Sequence, residues 1–319
     1  MRGARVSARG AAGRLRPCRG REPSNLPRLV ISYFQAVVLG LLQGFSELFP
    51  ISSLGHSVIL PKVVGWNIQQ TDKFFLTFLV ATHLATALVL LGFFWRDWVR
   101  IATGLGRSLR DREIAADDSD ARLGWLLVVG TVPAGLLGLI LEPPLRDLFK
   151  SAESAAFFLM LNGVMLYGAE RLRRRAPGSG AGGEDEPDAD ARIARLRWPQ
   201  AVAVGTAQAI ALVPGFSRSG ATIGGGLVVG LRHVDAARYA FLLATPIIGA
   251  AAVLKLPDLF GHDGRHIRGP ALVGAICAAL TAYLSVRFLL RYFETNRLTP
   301  FAAYCFAVGA VLTVGFAVT

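Results

Sequence analysis

The sequence predicts an all-α integral membrane protein, with six transmembrane helices plus two re-entrant helix–loop–helix hairpins in an inverted repeat. Three observations predict this fold class. Hydrophobic residues make up 53% of the 319 residues and charged residues only 18%, whereas soluble domains carry roughly 25% charged residues. Two of the long apolar stretches are broken by polar turns, and short motifs recur in both halves of the chain.

The composition also excludes other classes of protein. Disordered chains are low in hydrophobic residues, so disorder of the whole chain is excluded. The three cysteines, Cys18, Cys277 and Cys305, are an odd number without metal-ligand spacing, which excludes a disulfide scaffold. A formal net charge of +12 would fit a nucleic-acid-binding protein. The apolar content indicates a membrane instead, and no nucleic-acid partner is expected.

The chain begins with an Arg-rich tail over residues 1–30, for which there are two interpretations: a disordered extension, or a segment upstream of a true start nearer Val30. Its first 28 residues carry eight Arg and one Glu, without the apolar run of a secretory signal peptide. A membrane-spanning helix needs about 20 mostly apolar residues. Six later stretches meet this requirement, at residues 74–94, 123–141, 155–167 with its flanks, 236–256, 272–290 and 300–318.

Two further apolar stretches are too interrupted to be simple spans. The stretch at 33–64 is broken by a polar turn at 50–55, and the stretch at 200–231 is broken at 214–220. Each half is short, because a helix of twelve residues rises only about 18 Å while the hydrocarbon core is roughly 30 Å thick. Irregular backbone is tolerated at that depth where it is buried in protein or lines a cavity. Both stretches are therefore predicted to be re-entrant hairpins.

Short motifs recur in the same order in the two halves, which predicts a duplication. The segment 78–82 (FLVAT) recurs at 241–245 (FLLAT), 163 residues later. The hairpin motifs recur 165 residues apart: Gly40-x-x-Gln43 with Ser52-x-x-Gly55, and Gly205-x-x-Gln208 with Ser217-x-x-Gly220.

The duplication predicts how the chain is organised. The first repeat covers residues 31–171 and the second covers 199–319, with a cytoplasmic linker at 172–198. Each repeat would hold one hairpin and three spans. Because three is odd, the second repeat would be inserted upside down, as in many transporters. Eighteen Lys and Arg in the loops fall on one side and seven on the other, which places the first set in the cytoplasm.

The first hairpin carries polar residues that are expensive inside a membrane. Gln43 and Glu47 are four residues apart and share a helix face, and Ser53 and His56 are three apart and share another. An intramembrane carboxylate and imidazole should face a cavity or each other. The alternatives are structural: Glu47 and His56 would brace the hairpin by hydrogen bonds, and Ser52 or Ser53 would cap a helix.

The second hairpin carries Arg218, the only basic residue that this topology puts in the membrane interior. It needs an anionic partner, either Glu47 in a buried salt bridge or a phosphate, whose oxygens match the guanidinium fork. Ser217 and Gly220 open the second half-helix, so its free N–H groups and positive dipole end point at the same place.

If the hairpins meet, these groups form an anion site. Oxygen ligands from Glu47 and Gln43 suit a hard divalent cation. Such a site favours phosphoryl transfer on a lipid-like substrate. Ser53 or a water would attack, and Glu47 or His56 would handle protons. The predicted substrate-binding residues are Ser52, Gly55, Ser217, Arg218, Ser219 and Gly220.

Two segments resemble motifs of one family. Residues 43–56 (QGFSELFPISSLGH) are similar to the (E/Q)xxxE and SSxGH region of the bacterial undecaprenyl-diphosphatase, or bacitracin-resistance, family. Residues 214–220 (PGFSRSG) match its PGxSRSG motif. The resemblance extends over about residues 31–319. It departs at Gln43, where a Glu is often found, and at Leu54, where Thr or Ser is common.

The resemblance implies an activity and a location. The family removes the terminal phosphate of undecaprenyl pyrophosphate and thereby recycles the lipid carrier for cell-wall synthesis. It works in the bacterial plasma (inner) membrane as a multi-pass enzyme, with its active site open to the outer side. The resemblance implies catalytic roles for Glu47, Ser53, His56 and Arg218. It also implies a divalent cation, Mg or Ca, linked to Glu47 and to Gln43.

The resemblance further implies that bacitracin competes for the polyprenyl pyrophosphate substrate, and it leaves a homodimer open. The alternative function is a transporter or flippase of an anionic polyprenyl lipid. Such a protein would need Arg218 and the helix N-termini, but it would not need Ser53, His56 and Glu47 placed for nucleophilic and proton-transfer chemistry.

Overall fold

The protein is described by a computed structural model that covers residues 31–68, 73–145, 151–174, 189–260 and 267–318. Within these ranges all regular secondary structure is helical. The Arg-rich tail lies outside the described residues, and so does residue range 175–188 of the predicted linker. The helices are α1 (Tyr33–Leu48), α2 (Ser53–Val63), α3 (Lys73–Phe93), α4 (Trp95–Asp111), α5 (Ser119–Leu145), α6 (Ala152–Arg173), α7 (Ala189–Ala194), α8 (Trp198–Ala209), α9 (Arg218–Val228), α10 (His233–Phe260), α11 (Arg268–Thr295) and α12 (Thr299–Val318).

Among the described residues, six helices are long and apolar enough to cross a membrane: α3, α5, α6, α10, α11 and α12. They coincide with the six predicted spans, so this prediction is confirmed. Helix α6 extends past the predicted stretch at 155–167 and ends at Arg173. Near its end, Glu170 is buried and lies 2.8 Å from Nε2 of His233, at the start of α10.

The two interrupted stretches each form a pair of short helices. Helices α1 and α2 contact each other across the turn at 49–52, and α8 and α9 do so across residues 210–217. Helix α1 ends because the backbone turns extended at Phe49, with φ −67° and ψ 143°. Helix α8 gives way to a 3₁₀ turn, Ile210–Leu212. The re-entrant course of both pairs in the bilayer stays a prediction.

The first helix of each pair packs against a span of the other half, at closely matching places. Helix α1 lies on α11 where Gly40 faces the backbone of Gly274, and α8 lies on α5 where Gly205 faces the backbone of Gly130. A Cβ atom at Gly40 or Gly205 would overlap the facing backbone. Gly40 and Gly205 are equivalent in the predicted repeat, so the same kind of contact occurs at equivalent positions, and the duplication itself stays a prediction.

The core lies around α10, and α12 is the most exposed of the six spans. Tyr239, Phe241 and Leu242 of α10 are fully buried. Helix α10 packs against α3, and α12 packs against α6. The site described below lies beside α6, between the turns of the two short helix pairs.

An additional helix, α4, lies in the Arg-rich loop between two spans and was not predicted. It exposes Trp95, Val99 and Leu109 while carrying several Arg, a pattern typical of a helix in the membrane interface. Its Arg107 pairs with Asp118, which caps α5 by accepting from the N–H of Ala121. This N–H and Arg107 hold the pKa of Asp118 below its usual value, against partial burial.

A second unpredicted helix, α7, lies near the end of the predicted cytoplasmic linker. Its Asp190 is buried and accepts from Arg100 of α4 at 2.6 Å and from Arg238 of α10 at 2.7 Å. Its Arg192 pairs with buried Asp235 at 2.7 Å. This part of the linker is therefore anchored to the helices, because each buried carboxylate has cationic partners.

Candidate active site

The turns of the two short helix pairs touch each other directly. The hydroxyl of Ser219 donates to the carbonyl oxygen of Phe49 at 3.0 Å. Asn162 of α6 contacts both turns: its Nδ2 donates to the carbonyl of Pro50, and its Oδ1 accepts from the N–H of Ser217, both at 3.0 Å. Backbone groups in irregular turns need such partners when they are buried. Asn162 therefore holds the two turns together.

Glu47, the penultimate residue of α1, lies at the centre of the site. Its Oε1 accepts from the Arg218 guanidinium at 2.7 Å. Its Oε2 accepts from the hydroxyl of Ser53 and from Nε2 of Gln43, the latter at 3.0 Å. Nε2 of His83, from α3, lies 3.4 Å from the same oxygen. One carboxylate thus gathers side chains from α1, α2, α3 and α9.

The Glu47–Arg218 ion pair is largely buried, with 5% and 17% of the two side chains exposed. A buried ion pair is weak evidence for stability, because removing both charges from water costs about as much as their attraction returns. Charged groups at this depth more often mark a functional site. The salt bridge to Glu47 was one of the two interpretations of Arg218, and the structure contains it. The guanidinium also lies near the Ser53 hydroxyl and the starts of α2 and α9.

The starts of α2 and α9 are built alike. Ser52 accepts from the N–H of Gly55 at 3.2 Å, and Ser217 accepts from the N–H of Gly220 at 3.1 Å. Ser52 has a positive φ of 70°, which is unusual for a residue other than glycine. Capping accounts for Ser52, and the next hydroxyl, that of Ser53, is aimed at the carboxylate of the site.

His56 is one turn along α2, but its hydrogen bonds lead away from Glu47. Its Nδ1 lies 2.7 Å from the carbonyl oxygen of Ser52, and its Nε2 lies 2.9 Å from the hydroxyl of Tyr304 on α12. Of the four predicted catalytic residues, the structure therefore brings three into contact: Glu47, Ser53 and Arg218. His56 forms a second polar cluster with Tyr304.

The predicted substrate-binding residues surround the same place, and most of their polar groups already have partners. Ser217 and Ser219 share a hydrogen bond of 3.0 Å, and both contact the carbonyl of Phe49. The N–H groups of Gly55 and Gly220 are bonded to the capping hydroxyls. Their substrate-binding roles stay predictions, and their visible role is to fix the two turns against each other.

Three residues of this region were not assigned a role from the sequence. Asn162 and His83 are polar residues within apolar spans, and that is a signal of function or of helix packing. For His83 the sequence leaves both interpretations open, because it does not indicate a partner. Tyr304 gave no signal, because tyrosine is common at the ends of membrane helices.

The donor atoms present fit a divalent cation that is shared with a substrate. Within the described residues, no group of three or more His, Cys, Asp or Glu could hold a metal ion. Glu47 is the one carboxylate here, and Oε1 of Gln43 is buried without a hydrogen-bond partner in the described part of the chain. Mg²⁺ is commonly held by one or two carboxylates together with substrate phosphates, and this set matches that mode.

Comparison with known proteins identifies relatives over most of the chain. A family model described as bacitracin resistance protein BacA matches residues 36–311. An undecaprenyl-diphosphatase of Mycolicibacterium paratuberculosis is 50% identical over 305 residues, which cover 90% of this chain and 98% of that protein. Undecaprenyl-diphosphatase 1 of Frankia casuarinae is 41% identical, over 90% of this chain and 99% of its own. A third relative, from Acidiphilium cryptum, is 45% identical, over 86% and 95%.

Replacing Asn162 by Ala is expected to loosen the contact between the two turns. The N–H of Ser217 would lose its partner in a buried place, which costs about 1–3 kcal/mol. Thermal unfolding in detergent should show a lower midpoint for Asn162→Ala than for the wild type. The exposed Asn67 provides the control, and Asn67→Ala should leave the midpoint unchanged. Equal midpoints for both variants would contradict the bridging role.

Proposed function

The chain belongs to the bacitracin resistance protein BacA family, and we propose that it is the family's phosphatase. It hydrolyses undecaprenyl pyrophosphate to undecaprenyl phosphate and inorganic phosphate, and so recycles the lipid carrier of cell-wall synthesis. The observation that supports this most strongly is the hydrogen bond from the Ser53 hydroxyl to the Glu47 carboxylate, beside Arg218. In this proposal Ser53 is the nucleophile, Glu47 is the base and Arg218 binds the phosphate, and these contacts are consistent with the three roles.

Ser53 is the group best placed to attack the terminal phosphorus. Its Oγ forms a bond to that phosphorus while the bond to the bridging oxygen breaks, and undecaprenyl phosphate leaves. The hydroxyl proton passes to Glu47, which already accepts the hydrogen bond. A water then attacks the phosphoserine, inorganic phosphate is released, and Glu47 returns the proton to Ser53.

Arg218 stabilises the negative charge of the transferring phosphoryl group. One of its N–H groups is bonded to Glu47. Its other donors make no hydrogen bond with any residue that the structure describes, so they could bind phosphate oxygens. Helices α2 and α9 begin at Ser53 and Arg218, so their positive ends add to the same field. A preorganised donor of this kind contributes about 100- to 1,000-fold in rate.

A divalent cation, Mg or Ca, is part of the proposal. Glu47 and Oε1 of Gln43 would hold it together with phosphate oxygens, and it would supply Lewis-acid stabilisation of the developing charge. His56 is proposed to handle a proton in the reaction, as the family resemblance implies. Its place on α2, one turn from Ser53, brings it within the same region of the molecule.

We also propose that the protein lies in the bacterial plasma (inner) membrane with its site open to the outer side. The multi-pass membrane character follows from the six apolar helices and the family. The outward orientation rests on the excess of Lys and Arg in one set of loops. Bacitracin would compete for the same lipid pyrophosphate, and a homodimer stays a prediction from the resemblance.

A flippase of an anionic lipid is the less favoured function. It would use Arg218 and the helix ends, but it has no use for a serine hydroxyl bonded to a carboxylate. The relatives named above are undecaprenyl-diphosphatases, and the match covers 98% and 99% of the length of two of them.

Purified protein in detergent should release inorganic phosphate from undecaprenyl pyrophosphate when Mg²⁺ or Ca²⁺ is present. EDTA should abolish the release, because the cation supplies charge stabilisation at the phosphate. Adding back the cation should restore it. Phosphate can be measured colorimetrically, with heat-treated protein as the blank. A wild-type protein that is folded yet inactive with both cations would contradict the phosphatase function.

Replacing Ser53 by Ala is expected to lower the turnover number at least about a hundredfold, because the attacking oxygen is removed. Ser57 on the same helix offers a matched control, since it is also buried and its hydroxyl has no partner among the described residues. Ser57→Ala should retain near-normal turnover. Similar phosphate release by Ser53→Ala and the wild type would show that another group attacks.

A further inference from the structure

Tyr304 makes a specific contact with His56, although the two residues are 248 positions apart. Its hydroxyl lies 2.9 Å from Nε2 of the imidazole. The two rings are stacked, with centroids 5.9 Å apart and an interplanar angle of 10°. Tyr304 comes from α12, belongs to neither sequence motif and does not contact Glu47 through any hydrogen bond in the described structure.

The hydrogen bonds of His56 determine where its protons are. Nδ1 lies 2.7 Å from the carbonyl oxygen of Ser52, which can only accept, so Nδ1 carries a hydrogen. In the neutral ring Nε2 then carries the lone pair, and the Tyr304 hydroxyl is the donor. The two partners together fix one tautomer and one orientation of the imidazole.

The same contact also serves the protonated ring. A tyrosine hydroxyl both donates and accepts. When Nε2 takes up a proton from the water that attacks the phosphoserine, the hydroxyl hydrogen of Tyr304 turns away and the Nε2–H donates to the Tyr304 oxygen, while Ser52 keeps its bond to Nδ1. The proton then passes to the departing phosphate. The imidazole therefore has the same two partners in both charge states, and it can gain or lose a proton without turning.

We propose that Tyr304 is a positioning residue for His56, which it holds in a single orientation through the proton transfer of the catalytic cycle. The inference rests on the proposed phosphatase function, in which His56 handles a proton. A purely structural role is the competing explanation: 41% of Tyr304 is exposed, and its hydroxyl could bond to His56 only to avoid an unpaired polar group in the membrane.

Two variants separate the hydroxyl from the ring. Tyr304→Phe keeps the stacked ring and removes the hydroxyl, whereas Tyr304→Leu removes both. Steady-state phosphate release should show kcat lowered about fivefold in Tyr304→Phe, the size expected for one neutral hydrogen bond, with KM nearly unchanged. Tyr304→Leu should be lower still. A Tyr304→Phe variant with wild-type kcat would overturn the proposal and leave only a packing role.

A double-mutant comparison tests whether the effect passes through His56. In the His56→Ala background, adding Tyr304→Phe should change the residual kcat by less than about 1.5-fold, because coupled residues are not additive. The same fivefold loss in both backgrounds would overturn the proposal.

A matched control is Tyr283, an exposed tyrosine on α11 whose ring packs against Phe93. Tyr283→Phe should leave kcat and the thermal midpoint unchanged, and a drop equal to that of Tyr304→Phe would count against a specific role.

Wild-type phosphate release in the same preparation tests the proposed function separately. The Tyr304 comparison is made between active proteins, so it can fail while the phosphatase function stands.

Discussion

The Glu47 carboxylate and the Arg218 guanidinium form an ion pair that joins the end of α1 to the start of α9, across 171 residues of sequence. Both side chains are largely buried, and neither charge is tolerated there without the other. Other residues of the site position the helices that carry these two side chains. Asn162 ties the two turns together, capping serines begin the helices, and close glycine contacts allow α1 and α8 to pack deeply against α11 and α5.

The predicted repeat relates two residues of the site to each other. Ser53 and Arg218 are 165 residues apart, so they occupy the same position in the two repeats, directly after the capping serine. Both side chains contact Glu47. The position equivalent to Glu47 is Leu212, so only one copy carries the carboxylate. Under the proposed function, differences at these two positions of the predicted repeat distinguish the proposed nucleophile, base and phosphate-binding cation.

The sequence predicts those features that depend on local composition. Hydropathy locates the six spans, and the cost of burying charge in a membrane is enough to single out Glu47 and Arg218. The sequence does not tell which of Ser52 and Ser53 caps the helix, because both lie at the helix start. Asn162 contacts Pro50, 112 positions away, and Ser217, 55 positions away, and Tyr304 contacts His56, 248 positions away. No periodicity or motif encodes such pairs. Helix α7 was missed because it has only six residues, and because its ion pairs with α4 and α10 add to the burial of Ile193 and Ala194.

The central claim is that Glu47 and Arg218 act as one unit on a single phosphate. A double-mutant cycle on the turnover number for undecaprenyl pyrophosphate tests it most directly, with Glu47→Gln, Arg218→Gln and the double variant. Each single variant should lose about a hundredfold or more, since each removes a preorganised electrostatic group. The double variant should be no slower than the slower single variant, because groups that act together are strongly non-additive. Losses that multiply in the double variant would show two independent sites of action and would contradict the account.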